Sequence, residues 1–286
     1  MGEDDRRKGE DMRIVRNILV VVFILSLGVF GISELIQYTN RDTTQPEITS
    51  SIDVLEIPCE YTEEQLLEGL SATDATDGDL TSKIIPGSFT RFIETGVSNL
   101  TYVVFDSSNQ SASLTRKVRF TDYHSPRFTL TEPLVFTVQE GSYSDAMERL
   151  GAQDMLDGDL KDWIVQTDTD VNYGRTGSYT MTVAVSNSFG DTSEAALPVH
   201  VINAGGHTMD IRLTSSIVYV GMGDAFDPYS YLAGVADAQG NDVGTANVSA
   251  QSGVDTQNPG VYEVYYTVSD GAGGAGETSL TVIVEG

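Results

Sequence analysis

Carboxylates dominate the side chains of this protein that could do chemistry, and they recur in one pattern. Asp74-Ala-Thr-Asp77-Gly78-Asp79-Leu80 returns 80 residues later as Asp154-Met-Leu-Asp157-Gly158-Asp159-Leu160, and Asp237-Ala-Gln-Gly240-Asn241-Asp242-Val243 is a worn third copy. Clustered carboxylates offer hard oxygen ligands, the donor set taken by Ca²⁺. In the first copy Asp74, Asp77 and Asp79 are the candidate ligands, joined by Asp106 and Asn109 if the turn that carries them shares the same end of the domain. In the second copy they are Asp154, Asp157 and Asp159. The spacing is not that of an EF-hand loop, whose ligands begin D-x-D-x-D-G. The same residues also have a purely structural use, because Asp-Gly makes a tight turn and aspartates accept from nearby backbone amides. That use carries more weight here, since the third copy has lost its middle aspartate.

Other reactive side chains are sparse. Histidine occurs at positions 124, 200 and 207, in a linker, a closing strand and a second linker, with no nucleophile motif beside any of them, so they read as surface residues. Cys59 is the single cysteine, which excludes an intramolecular disulfide and a thiolate zinc site. Activation of its thiol would need an electropositive setting that an acidic chain does not supply. A Lys–Asn crosslink would need a buried lysine, and after the N-terminal region only Lys83, Lys117 and Lys161 are present. Trp163, the one tryptophan, could stack on a sugar or close the edge of a core. Tyr229, Tyr231 and Tyr265 are further aromatic surface candidates, with core packing as the competing role.

The segments that must position these residues repeat with a period of about 80. Gly96, Gly177 and Gly260 each precede a stretch of period two. Tyr179, Met181, Val183 and Val185 alternate with small or hydroxylated residues, the pattern of a strand with one buried face, as do Tyr262, Val264, Tyr266 and Val268. The first copy reads Ser98, Leu100, Tyr102, Val104, so a serine stands where tyrosine is expected and should weaken that end of the core. Each copy closes on another alternating strand, through Val118 and Phe120, Val199 and Val201, or Val282 and Val284. Short helical turns are expected over 62–69 and 143–150.

The N-terminus differs from everything after it. Ile18 to Ser33 is an uncharged apolar run, and with its flanks it predicts a membrane-spanning helix over 14–36. Arg6, Arg7, Lys8, Arg13 and Arg16 precede the span and only Arg41 follows it closely, which keeps the leader, residues 1–13, in the cytoplasm. A cleaved signal peptide is the competing reading, with Gly31-Ile32-Ser33 as the cleavage site, but the run is longer than a usual signal core and a long leader precedes it. The remainder is then a linker over 37–45 and three domains at 46–121, 126–203 and 208–286.

Composition narrows the function classes. With 40 % hydrophobic and 20 % charged residues the 286-residue chain can bury cores, and its length calls for two or three domains. Its net charge of −26 repels a phosphate backbone, so no nucleic-acid partner is expected. The leader's acids and bases cancel, which places all of that charge on the part after the apolar run.

Taken in order, D-x-x-D-G-D-L, then Thr176-Gly177-Ser178-Tyr179 before an alternating strand, then a polar turn and a closing valine strand resemble the bacterial Ig-like surface repeat of the pesticidal-crystal-protein type, in three tandem copies. The resemblance covers about residues 46–286, and the third copy departs from it at Gly240-Asn241. It implies an all-β chain of three Ig-like antiparallel β-sandwiches after one N-terminal transmembrane helix. It implies no enzymatic activity and no obligatory cofactor: a single-pass membrane protein with extracellular domains that act as a stalk or a protein-interaction or adhesion module. The partner would be a surface protein or a glycan. The alternatives are a carbohydrate-binding adhesive module and an accessory subunit of a membrane complex.

Overall fold

A computed structural model describes residues 3–39, 42–203, 205–271 and 273–286. The chain is mostly β-strand in several sheets, with one long N-terminal helix, α1 (Glu3–Thr39). Its stretch Arg16–Ile36 is long and apolar enough to cross a membrane, and none of it is buried against the rest of the chain. No β-branched, small or charged residue interrupts the helix there, because Ser26 returns its hydroxyl proton to the Phe23 carbonyl at 2.8 Å.

Beyond α1 the same element order is met repeatedly. The first pass comprises β1 (Glu47–Ser50), β2 (Val54–Ile57), the helical turn α2 (Glu63–Leu66), β3 (Leu70–Asp74), β4 (Gly78–Asp79), β5 (Ile85–Phe89), β6 (Val97–Phe105) and β7 (Ser111–Phe120). The second comprises β8 (Arg127–Leu130), β9 (Val135–Thr137), α3 (Tyr143–Arg149), β10 (Leu150–Asp154), β11 (Gly158–Asp159), β12 (Val165–Thr169), β13 (Gly177–Ser186) and β14 (Thr192–Ile202). The third holds β15 (Asp210–Leu213), β16 (Ile217–Gly221), β17 (Leu232–Ala236), β18 (Val248–Ser252), β19 (Gly260–Ser269) and β20 (Ala275–Glu285). The two-residue strand after the Asp-Gly turn has shrunk there to a single bridge, Ala236 to Asp242.

Each pass forms a small sheet and a four-stranded one: β1-β3-β4 with β2-β7-β6-β5, β11-β10-β8 with β12-β13-β14-β9, and β15-β17 with β16-β20-β19-β18. The long hairpins are antiparallel, as in β13 against β14 from Gly177↔Val201 to Ser186↔Thr192. One pairing in each four-stranded sheet is parallel, β2 with β7, β9 with β14 and β16 with β20. The period-two pattern explains which faces are inside. Met181, Val183 and Val185 are buried, as are Leu100, Tyr102 and Val104, and Val264, Tyr266 and Val268. The expected helical turns are present: Gln65 Oε1 accepts from the Thr62 amide at 2.8 Å, and Ser142 Oγ accepts from the Asp145 amide at 3.3 Å.

The described chain forms two compact units, one made of 54–66, 89–100 and 116–286, the other of the described residues up to Asp53 with 67–88 and 101–115. In the former, Phe128, Leu150, Leu160, Met181 and Leu197 centre one hydrophobic core, and Val235, Val264, Tyr266, Leu280 and Val282 another. A third apolar group in that unit is aromatic. Phe189, on the β13–β14 turn, meets Phe89, Phe92 and Phe120 at centroid distances of 6.0, 4.8 and 6.1 Å, and its carbonyl accepts from the Phe92 amide at 3.0 Å. The expected weakness at Ser98 is corrected here. Ser98 is fully buried, and its Oγ donates to the Thr90 carbonyl at 2.6 Å. In the later copies Tyr179 and Tyr262 donate instead to the Arg175 and Asn258 carbonyls, both at 2.9 Å.

Candidate functional site

The acidic turns are built alike in the first two copies. Asp74 is 7 % exposed, and its Oδ1 accepts from the amides of Thr76 and Asp77 at 2.8 and 2.9 Å. Gly78 follows at φ +75°, a conformation that strains any residue with a side chain. Asp79 Oδ1 then accepts from the Thr81 amide at 2.9 Å. Asp77 bridges to the β6–β7 turn, accepting from the Ser107 amide at 2.6 Å and its hydroxyl at 2.9 Å. The second copy repeats this: Asp154 accepts from Leu156 and Asp157, Asp159 from Lys161, and Asp157 from the amide and hydroxyl of Ser188. In the third copy Asp237 Oδ1 accepts from the amides of Gln239 and Asn241, both at 2.9 Å.

These bonds favour the ionised carboxylates. The Ser107 amide and then its hydroxyl hold Asp77 below the usual carboxylate range. The Thr81 side chain and amide do so for Asp79, and the Asn241 side chain and amide for Asp237. Asn109 lies at φ +65° and serves its own turn, its amide donating to the Asp106 carbonyl at 3.3 Å.

Among the sequence-derived candidates the structure brings Asp74 and Asp106 together, and it adds Asp42. Carboxylate oxygens of Asp42, Asp74 and Asp106 lie within 4.8 Å of one another, and Asp74 and Asp106 are each 7 % exposed. Asp42 precedes β1. Its Oδ1 accepts from the amide and hydroxyl of Thr44 at 2.9 and 2.6 Å, which lowers its pKa, the hydroxyl contributing most. Its Oδ2 is buried without a hydrogen-bond partner among the described residues. Thr44 Oγ1 lies 3.3 Å from Asp74 Oδ2, and the Gln110 side-chain nitrogen donates to the Thr44 carbonyl and to Asp106 Oδ2. Sequence reading missed Asp42 because it lies in the linker. The signal was nonetheless there: Asp42 stands four residues before Pro46, as Asp122 does before Pro126, 80 residues on.

The corresponding place in the second copy is filled differently. Asn187 stands where the first copy has Asp106, and its Nδ2 donates to Asp154 Oδ2 at 3.1 Å and to the Tyr123 hydroxyl at 2.8 Å. Tyr123 donates onward to Asp191 at 2.7 Å, and burial pushes its phenol pKa up. Asp122 is turned to the Cys59 amide at 2.7 Å.

The remaining candidates are scattered. Trp163 is 69 % exposed beside exposed Val165, and Tyr229 is 52 % exposed. Tyr231 stacks on Phe226, and Tyr265 donates to Glu277 at 2.5 Å. His200 is not a surface histidine: it is buried between Ser178 Oγ at 3.1 Å and the Glu263 carboxylate, with the Tyr265 ring 4.7 Å away. The register of β14 turns it inward, which period-two reading of Val199 and Val201 alone does not reveal. Cys59 is buried, and desolvation, then Asp122, pushes its thiol up to about 12. Lys83, Lys117 and Lys161 are all exposed, so none has the burial that a crosslink to asparagine requires.

Residues 213–284 match the family described as bacterial surface protein, Ig-like domain. The pesticidal crystal protein Cry22Aa of Bacillus thuringiensis is 30 % identical over 226 residues, which are 76 % of this chain and 30 % of that protein. An 81.3 kDa protein of Acholeplasma phage L2 is 27 % identical over 144 residues, 49 % of this chain and 19 % of that one. The chain thus spans less than a third of the length of these relatives. Among solved structures, the M60 catalytic domain with the CBM51-1 and CBM51-2 domains of Clostridium perfringens ZmpB is 14 % identical, with a TM-score of 0.24, covering 85 % of this chain and 31 % of that one. The protocadherin GammaB4 extracellular domain is 13 % identical, with a TM-score of 0.20, covering 85 % and 50 %. The all-β fold, the relation to the crystal protein and the match over 213–284 agree: this chain belongs with the bacterial Ig-like repeat proteins and carries their surface-protein domain at its C-terminal end.

Proposed function

We propose that this protein is a non-catalytic surface binding module, held at the cell membrane by α1, with three Ig-like domains at 46–121, 126–203 and 208–286 on the extracellular side. The match of 213–284 to a bacterial surface Ig-like domain is the observation that carries the reading. The apolar stretch Arg16–Ile36 supports an anchor, and the basic residues ahead of it support a cytoplasmic N-terminus. The acidic surface keeps the domains soluble and apart, and the partner is a surface protein or a glycan.

Protease treatment of intact cells tests the arrangement. Degradation of the repeats with survival of a fragment that contains 1–36 is expected, and full protection of the repeats until the membrane is opened would overturn it. Exposed Trp163 supports a glycan partner in particular. Binding on a glycan array that Trp163→Ala abolishes is the expected result for that partner, and an array without signal returns the choice to a protein.

A further inference from the structure

The first repeat differs from the second at one place, and the difference concerns charge. In the second repeat the buried Asp154 carboxylate faces an N–H donor, the Asn187 amide, which is itself held by Tyr123. In the first repeat the same place holds a second buried carboxylate, Asp106, and a third, Asp42, enters from the linker. Gln110 supplies one neutral amide to this group, at 3.2 Å from Asp106 Oδ2. Three carboxylates this close repel one another unless positive charge lies between them.

Asp42 Oδ2 points to a ligand independently of that count. It is a buried carboxylate oxygen with no hydrogen-bond partner among the described residues, although Thr44 donates twice to the other oxygen of the same group. A buried acceptor left without a donor is costly, and a bound ion satisfies it.

From these observations we propose that Asp42, Asp74 and Asp106 bind one Ca²⁺ ion in the first repeat, and that the second repeat, with Asn187 and Tyr123 in the equivalent place, does not bind one there. The donor set is entirely oxygen, which excludes the soft and imidazole-seeking metals. Ca²⁺ holds oxygens at about 2.3–2.6 Å, so ligands across the ion are about 4.6–5.2 Å apart, whereas Mg²⁺ at about 2.0–2.1 Å draws them to about 4.2 Å. A group whose oxygens spread to within 4.8 Å fits the larger ion. The Thr44 hydroxyl, between Asp42 and Asp74, is placed to add a neutral oxygen, and water completes the shell. Binding fastens residues 42–44 to the acidic turn and to the turn at 106–110. The ion is a property of the repeat and is independent of the partner proposed above.

Calorimetric titration of the full chain in detergent micelles, stripped with EDTA and then given CaCl₂ or MgCl₂, tests this. One Ca²⁺ per chain is expected, with a dissociation constant of about 10⁻⁴–10⁻³ M as in extracellular modules, together with weaker Mg²⁺ binding and a rise in melting temperature. Asp106→Asn, which copies the second repeat, should weaken Ca²⁺ binding by about tenfold or more, the weight of one lost charged ligand at 1.4 kcal/mol per factor of ten. Asp42→Asn, in the linker and outside every strand, should do the same and decides the matter if the Asp106 variant does not fold. Asp157→Asn in the second repeat should leave binding unchanged. No heat and no melting shift at millimolar Ca²⁺, or unchanged affinity in both the Asp42 and Asp106 variants, overturns the proposal.

Discussion

At the scale of single residues, hydrogen bonds from side chains to backbone decide how each repeat is held. Tyr179 and Tyr262 each reach a carbonyl four residues upstream, a link like the tyrosine corner of Ig domains. Tyr179→Phe and Tyr262→Phe should each cost about 1 kcal/mol of unfolding free energy, measured by urea denaturation. Titration follows the same bonds. Asp77 and Asp237 have folded pKa values below the ordinary 3.8, so the unfolded state takes up protons first as pH falls. Their contribution to stability is therefore complete above about pH 4 to 5 and is lost as pH falls through the depressed folded values. Thermal melts from pH 6 down to pH 2 should show this acid limb, shallower in Asp77→Asn than in the wild type. Cys59 moves the other way: with its thiol pushed up to about 12, it should resist iodoacetamide in the native protein at pH 8 and react once urea exposes it.

Among the elements, the long hairpins carry the fold and their turns carry the links. The β13–β14 turn holds Ser188, which donates to Asp157, and Phe189, which packs on Phe89, Phe92 and Phe120. Phe189→Ala removes a partly buried ring and its edge and tilted contacts, and should cost about 2 kcal/mol in denaturant unfolding. Phe189→Leu, which keeps apolar volume, should recover more than half of that loss. Edge β12 exposes Val165 beside Trp163, and the strand is open on one side for a partner. His200, on β14, joins this strand to β19 through Glu263, so the β14–β19 contact includes a buried polar pair as well as apolar packing.

For the whole molecule, the net charge of −26 sets the electrostatic background. Like charges repel within the folded chain, and raising NaCl from about 0.01 to about 0.15 M shortens the screening length from about 30 to about 8 Å. In the presence of EDTA the melting temperature should therefore rise with NaCl, and a fall would show that attractive ion pairs outweigh the repulsion. Arg127 is one such pair, bonded to Glu285 while its guanidinium lies 4.9 Å over the Tyr219 ring. Both partners are about one-third exposed, so this pair is a modest term against the overall repulsion.

The sequence alone determined the apolar helix, the repeat, the period-two strands with their buried faces and the Asp-Gly turns. Each of these rests on residues close together in the chain, where side-chain spacing and backbone preference act directly. The tertiary structure decided what those residues meet. Asp42 joins Asp74 and Asp106 although 32 and 64 positions separate it from them, because the linker returns over the end of the first repeat. Asp77 and Asp79, equally acidic in sequence, are taken up by Ser107 and Thr81 instead. Ser98 looked like a gap in the core and proves to be bonded to Thr90, while the aromatic group around Phe189 draws on turns and strands from two successive copies. Periodicity specifies which way a side chain faces; only the packing of distant segments specifies its neighbour, and the chemistry of a carboxylate depends on that neighbour.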